Sequence, residues 1–288
     1  FDLMKPRVMT LVIFTTFVGY FCGYSSTNLN INPWLSLIGI FSIALGAGSS
    51  GVLNHWYDRD IDKLMFRTKN RPIPLGKILP SDALVFGILG SILSVSIIGL
   101  SINWLAAFYL GFTIIFYSVF YTIFLKRFTS QNIVIGGASG ALPPIIGYIC
   151  ATGQLSIEPF ILFGIIFFWT PPHFWALSVY RFNDYEKVKV PMLPNVKSIQ
   201  DTKNQIVYYT IILIVLSYTP LYSNLISYIY LLIVSILNLV LIINAFKLKN
   251  TKEIENKPNI EGLRFFALTI FYLFSLFGAL LIDNLILL

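Results

Sequence analysis

The sequence predicts an all-α, polytopic membrane protein, and three observations carry that prediction. Only 11% of its 288 residues are charged against 56% apolar, and mean hydropathy is +0.77. A soluble domain carries about 25% charged residues, so there is too little polar surface here to cover a water-soluble globule. Nine apolar runs are long enough to cross a bilayer core, which takes roughly 20 residues of helix. Every Lys and Arg, 20 in all, falls in connections that nine spans would place on one side. The net charge of +7 therefore reads as loop bias of a membrane protein, and no nucleic-acid partner is expected. Cys22 and Cys150 both lie within apolar runs, so neither a disulfide framework nor a thiolate metal site is indicated.

The runs cover about 8–24, 35–53, 83–101, 104–124, 131–151, 159–180, 206–222, 226–245 and 265–285. Turn chemistry separates them: Asn28-Leu29-Asn30 with Pro33, Ile102-Asn103, Thr152-Gly153-Gln154, and Pro220 through Asn224. Lys5 and Arg7 precede the first run, and Lys126 and Arg127 follow the fourth. Six cations follow the second run, five follow the sixth, and five lie between the eighth and ninth. By the positive-inside rule that shared side is the cytoplasm, with the N-terminus inside and the C-terminus outside. Of the 13 acidic residues only Glu158 and Asp283 fall on the outer side. The two long connections, roughly 54–82 and 181–205, are both inner, and long ordered loops carry function. Without a cleavable signal or transit-like segment before the first run, a bacterial inner membrane is expected over a mitochondrial one. The chain reads as one membrane-embedded domain, 1–288. Runs two and six both end in an acidic cluster and a basic loop, which suggests tandem four-helix halves, about 1–125 and 126–245, plus a ninth helix.

The strongest local pattern is Asn54-His-Trp-Tyr-Asp58-Arg-Asp60-Ile-Asp62. Asn54, Asp58 and Asp62 are spaced i, i+4, i+8, so a continued helix stacks their side chains on one face. Like charges one turn apart repel unless a cation sits between them, and oxygen-only ligands suit Mg²⁺, which keeps waters and recruits phosphates. Arg67, Lys69 and Arg71 follow directly and fit the oxygens of a diphosphate. A lone DxxxD is usually a solvated helix end. This one abuts Gly46-Ala-Gly-Ser-Ser-Gly51, a small-residue run that lets helices approach or leaves room for a ligand.

A second cluster, Arg181-Phe-Asn183-Asp184-Tyr185-Glu186-Lys187, offers Asp184 as an opposing carboxylate and Arg181 and Lys187 as phosphate contacts. His173 lies inside the sixth run after Pro171 and Pro172, which favour a kink. An ionisable group at that depth is a functional candidate, as ligand or proton carrier beside a bound substrate, or else a neutral histidine bonded to a freed carbonyl. Lys126 and Arg127 are sufficiently explained as topology anchors unless the site reaches them. Gly136-Gly-Ala-Ser-Gly140 reads as helix packing, since no lysine adjoins it. Metal-binding carboxylates, basic phosphate contacts and an apolar surround together fit ionisation of an allylic diphosphate.

Asn54-x-x-x-Asp58-x-x-x-Asp62 at the end of the second span resembles the first signature of the UbiA superfamily of intramembrane prenyltransferases. Further strings look like that superfamily's heme-directed branch: Asp58-Arg-Asp-Ile-Asp62 with Arg67-Thr-Lys-Asn-Arg71-Pro72, Lys5-Pro-Arg, Gly140-Ala-Leu-Pro-Pro144-Ile-Ile-Gly147, Pro172-His173-Phe, and Asp184-Tyr185 before Val190-Pro-Met-Leu-Pro194. The resemblance covers nearly the whole chain. It implies nine helices around a central cavity with a cytoplasmic-side cap. It also implies Mg²⁺-dependent transfer of farnesyl from farnesyl diphosphate to a vinyl carbon of heme B, with water adding a hydroxyl to give heme O. Asn54, Asp58, Asp62 and Asp184 would then hold metal, with Arg67, Arg71, Lys126, Arg181 and Lys5 on the diphosphate and His173 on the heme side. Membrane lipid, and contact with a downstream heme-modifying enzyme or terminal oxidase assembly, complete the implied partners. One departure from the wider superfamily stands out: four residues after Asp184 is Val188, where many relatives carry a second carboxylate. An enzyme with a quinone-precursor or chlorophyll-type acceptor is the nearest rival. A transporter should carry more charge deep in its spans, and a structural subunit leaves the Asn54–Asp62 ladder without purpose.

Overall fold

The computed structural model describes residues 1–25, 32–223, 228–253 and 258–287. Nine helices in them are long and apolar enough to cross a membrane: α1 Pro6–Ser25, α2 Pro33–Tyr57, α3 Pro80–Ser101, α4 Trp104–Phe128, α5 Asn132–Thr152, α6 Glu158–Tyr180, α7 Ile199–Leu221, α8 Ile229–Lys249 and α9 Ile260–Leu285. No strand occurs among the described residues. The expected turn residues at 28–30 and Asn224, and the cation Lys257, lie outside the described residues.

Local chemistry sets the helix ends. Asn32 caps α2, its side chain accepting from the backbone N–H of Trp34 at 3.1 Å, with Pro33 in the first turn where its missing N–H costs nothing. Asn103 and Ser198 cap α4 and α7 in the same way, at 2.7 and 2.9 Å. α7 therefore begins seven residues before the hydropathy pattern does, because its first two turns are polar. α6 continues through Pro171 and Pro172 without interruption. α5 is broken at Leu142, and Pro143 starts its second half.

Each span packs on the next, and α9 returns to α1, so the helices close a ring. α1 also crosses the second half of α5, and α9 lies along α6. The α1–α5 crossing depends on glycine: a Cβ on Gly147 would lie 2.1 Å from the Thr16 carbonyl oxygen, and one on Gly19 2.2 Å from that of Pro144. The main core, around Trp169, Trp175, Tyr272 and Phe277, lies among α6, α7 and α9. The two long connections hold short helices, Arg59–Asp62 in one and Phe182–Lys187 and Leu193–Val196 in the other. Ile61, Met65, Ile73, Val190, Met192 and Leu193 are buried, so these connections form an ordered cap. Lys203, fully buried, bonds the Thr251 carbonyl at 2.8 Å and pairs with Glu253, which ties α7 to the connection between α8 and α9.

Candidate active site

Asn54, Asp58 and Asp62 stack as their spacing predicts. α2 runs to Tyr57, Asp58 caps it at φ −80° and ψ 5°, and the helix resumes at Arg59. The backbone bonds Asp58 N–H to Asn54 O and Asp62 N–H to Asp58 O, both 2.9 Å, carry the helical register across the cap. All three side chains are buried. The repulsion between the two carboxylates is met by Lys126 and Arg71, and a third cation, Lys5, bonds the Asn54 amide. Lys126, at the end of α4, pairs with Asp58. Arg71, from the first long connection, donates to Asp62 at 2.7 Å. Lys5, just before α1, donates to Asn54 Oδ1 at 2.6 Å and to the Tyr117 hydroxyl at 2.9 Å.

Lys5 reaches this point from an uncommon backbone. Its φ and ψ are 55° and 60°, left-handed for a non-glycine residue, at a cost of about 1–3 kcal/mol. The segment before it lies on α2 over Gly48 and Gly51, where a Cβ on Gly48 would meet Met4 at 2.3 Å. On α3, Gly87 and Gly90 crowd Leu53 and Ser49. The Gly46–Gly51 run therefore serves close approach of neighbouring segments and not room for a ligand. Burial, with the Arg71 guanidinium close by, pushes the Lys5 ammonium down to about 7. His55, between Asn54 and Trp56, is buried with neither ring nitrogen hydrogen-bonded.

Arg127 is a site residue that spacing did not single out. It donates to both oxygens of Asp60 at 2.7 and 2.8 Å, lies 3.6 Å from Asp58 Oδ1, and stacks 4.6 Å over the Tyr57 ring. The Arg127 bond holds the Asp60 carboxyl below its usual range. Arg67, Arg71, Lys126 and Arg127, with the more weakly basic Lys5, thus surround Asp58, Asp60 and Asp62, so positive charge is in excess.

The second cluster is separate. Arg181 lies 3.8 Å from Asp184 and stacks 4.6 Å over Tyr180. Among the described residues no hydrogen bond or ion pair joins Asp184 to the ladder. Two tyrosines bridge the gap: Tyr185 is within electrostatic reach of Asp184, Arg181, Arg67 and Arg71, and Tyr121 of Tyr185, Asp58 and Arg67. His173 lies apart from both clusters. Its ring is sandwiched between Trp169 at 4.2 Å and Phe266 at 4.3 Å, and Nδ1 is 2.7 Å from Thr269 Oγ1. The Thr269 hydroxyl donates to the Phe266 carbonyl, so His173 Nδ1 carries the hydrogen and donates to it.

The donor set suits a hard divalent cation. Among the described residues no hydrogen bond reaches the buried Asp58 Oδ1, which lies 3.6 Å from Arg127, so it keeps lone pairs that a metal ion would satisfy. Among the described residues no three His, Cys, Asp or Glu side chains form a closed metal cluster. An ion here would keep coordination positions for water and phosphate oxygens, as Mg²⁺ prefers.

The comparisons with known proteins meet this geometry from another direction. The family model described as the UbiA prenyltransferase family matches residues 12–270. The chain belongs to that family. A protoheme IX farnesyltransferase of Rhizobium rhizogenes is 49% identical, aligning 99% of this chain with 88% of the relative. One of Rhizobium etli is 50% identical over 99% and 89%. Among solved structures, digeranylgeranylglyceryl phosphate synthase superposes with a TM-score of 0.79 at 18% identity, covering 98% of this chain and 96% of that one. A UbiA homolog from Archaeoglobus fulgidus bound to DMAPP and Mg²⁺ gives 0.59 at 17% identity, covering 95% and 98%. At such identities these two structures speak for the UbiA fold alone.

Proposed function

We propose that this UbiA-family enzyme transfers the farnesyl group of farnesyl diphosphate to the vinyl group of heme B, giving heme O and diphosphate. The observation that carries the reading is the buried Asn54–Asp58–Asp62 ladder with an excess of cations around it, in a chain about half identical to protoheme IX farnesyltransferases along nearly its full length. Asn54 Oδ1, Asp58 and Asp62 would hold Mg²⁺, with Asp184 on the opposite side; the ion would neutralise charge on the departing diphosphate. Lys5, Arg67, Arg71, Lys126 and Arg181 would take the remaining diphosphate oxygens as charge-assisted donors. Lys126 and Arg71 neutralise Asp58 and Asp62 here; with an ion on the carboxylates, the same two cations would be available to the diphosphate oxygens. The site is thus charged and desolvated before substrate arrives, and little reorganisation remains for the reaction.

The chemistry balances as follows. The farnesyl C1–oxygen bond breaks and diphosphate leaves. The terminal vinyl carbon bonds C1, positive charge passes to the carbon attached to the porphyrin, water adds there, and a proton departs. In this reading His173 would face the heme, through the ring edge that does not bond Thr269. The His173→Phe variant should raise KM for heme B about tenfold and leave KM for farnesyl diphosphate unchanged.

The proposal extends to topology. The Lys and Arg side, which includes the whole site, is the cytoplasmic face, with the C-terminus outside, in a bacterial inner membrane. α1–α4 and α5–α8 are read as tandem halves. The added farnesyl chain makes heme O strongly lipophilic beside its propionates, so hand-over at the membrane to a heme-modifying enzyme or oxidase assembly belongs to the same reading. The test is direct: protein in nanodiscs receives heme B, farnesyl diphosphate and Mg²⁺, and products are read by mass spectrometry. Heme O is expected. Its absence, together with a prenylated product from an aromatic acceptor such as 4-hydroxybenzoate, would overturn the assignment.

A further inference from the structure

α4 is not an α-helix throughout. Residues Phe116–Leu125 form a ten-residue π-helical stretch, with the Lys126 N–H bonded to the Tyr121 carbonyl five residues back. Such stretches are rare and tend to occur at functional sites. Its effect on register is large. Tyr117 and Lys126 are nine residues apart, about two and a half turns at ~3.6 residues per turn, so an α-helix would put them on opposite faces. Here both face the ladder: the Tyr117 hydroxyl receives Lys5, and Lys126 pairs with Asp58. Thr122 lies between them, fully buried, with its Oγ1 3.0 Å from Asn54 Nδ2.

The Asn54 amide is oriented by three partners. Asp58 is only an acceptor and takes one N–H of Nδ2 at 2.9 Å, which leaves Oδ1 to receive Lys5. Thr122 takes the other N–H. Its own hydroxyl hydrogen is given to the Tyr117 carbonyl at 2.8 Å, so toward Asn54 it acts as an acceptor. On the reading above, on which this inference rests, both Lys5 and Asp58 change partners when the metal and diphosphate enter. Thr122 does not. We infer that Thr122, set in place by the π-helical stretch, is the positioning residue that keeps the Asn54 amide oxygen turned toward the cation site in the loaded enzyme. Without it the amide is free to flip and present N–H to a cation.

The experiment uses the full chain in nanodiscs with Mn²⁺ as the probe and farnesyl S-thiolodiphosphate, which does not ionise. Free Mn²⁺ is titrated by electron paramagnetic resonance. Thr122→Val keeps the shape and removes the acceptor; it should weaken Mn²⁺ binding about 10–100-fold, the usual cost of losing a group that orients a metal ligand. Thr122→Ser restores the acceptor and should bind within about threefold of the parent, and all variants should melt alike. Two outcomes count against the inference. If Thr122→Val binds Mn²⁺ as the parent does while Asn54→Ala does not, the positioning role is wrong and the metal site stands. If Asn54→Ala also binds like the parent, the ladder is not the metal site and both readings fall.

Discussion

The ends of α2 and α6 begin alike and finish differently. Each helix is closed by a residue near the bridge region, Asp58 at φ −80°, ψ 5° and Arg181 at φ −105°, ψ 25°, and each resumes as a short helix carrying a carboxylate. At α2 the carboxylates are buried, and cations from the segment before α1, from α4 and from the first long connection converge on them. At α6, among the described residues, Arg181 is the one cation paired with Asp184, from within the same turn. What separates an acidic helix end from a metal site is the neighbouring elements that deliver counter-charge to it. By that measure the end of α2 is the better provided with counter-charge.

Three substitutions sharpen or break this contrast. Asp58→Asn keeps shape and hydrogen bonding but removes the central charge; kcat should fall by about 10³-fold or more with the melting temperature little changed. Near-normal heme O formation would erase the asymmetry. Asp184→Asn should cost less, about 10–100-fold, seen mainly as a higher Mg²⁺ concentration at half-maximal rate. Equal losses at Asp58 and Asp184 would mean a symmetric two-metal site instead. Val188→Asp restores the spacing of a second DxxxD at α6, and kcat/KM should change by less than about threefold, because charge alone without convergent partners adds little. A large gain would show that sequence at α6, and not its surroundings, is the limit.

Much of this was legible in the sequence, and the reasons for the rest are physical. Hydropathy found all nine spans and misjudged mainly their polar first turns, as at Ile199–Lys203, where Ser198 and not apolarity starts the helix. The i, i+4, i+8 ladder was readable because it is local. From its own position Lys126 reads as a topology anchor, and only the family resemblance pointed it at the diphosphate, since its pairing with Asp58 spans 68 residues. Thr122 and Tyr117 carried no signal, because their register depends on a π-helical stretch that apolar periodicity does not distinguish from an α-helix. Arg127 and Asp60 were hidden for the same reason as Lys126, a contact made only after α2 and α4 pack. The Gly46–Gly51 run signalled close approach correctly without saying what approaches.

α4 is the least buried of the nine spans, with Phe108, Phe112, Phe120 and Phe124 all exposed on its outer side. An apolar groove of about 400 Å³ lined by Val95, Trp104, Phe108 and Phe112 runs along that surface. Yet the same helix delivers Tyr117, Thr122 and Lys126 to the site. Phe120 and Phe124 on its back and Tyr117 and Thr122 on its front lie in the same ten-residue π-helical stretch, so the register of that stretch sets both faces at once. A substitution on the apolar back of this helix can therefore reach the ladder through the helix's register, without touching any residue that faces the site.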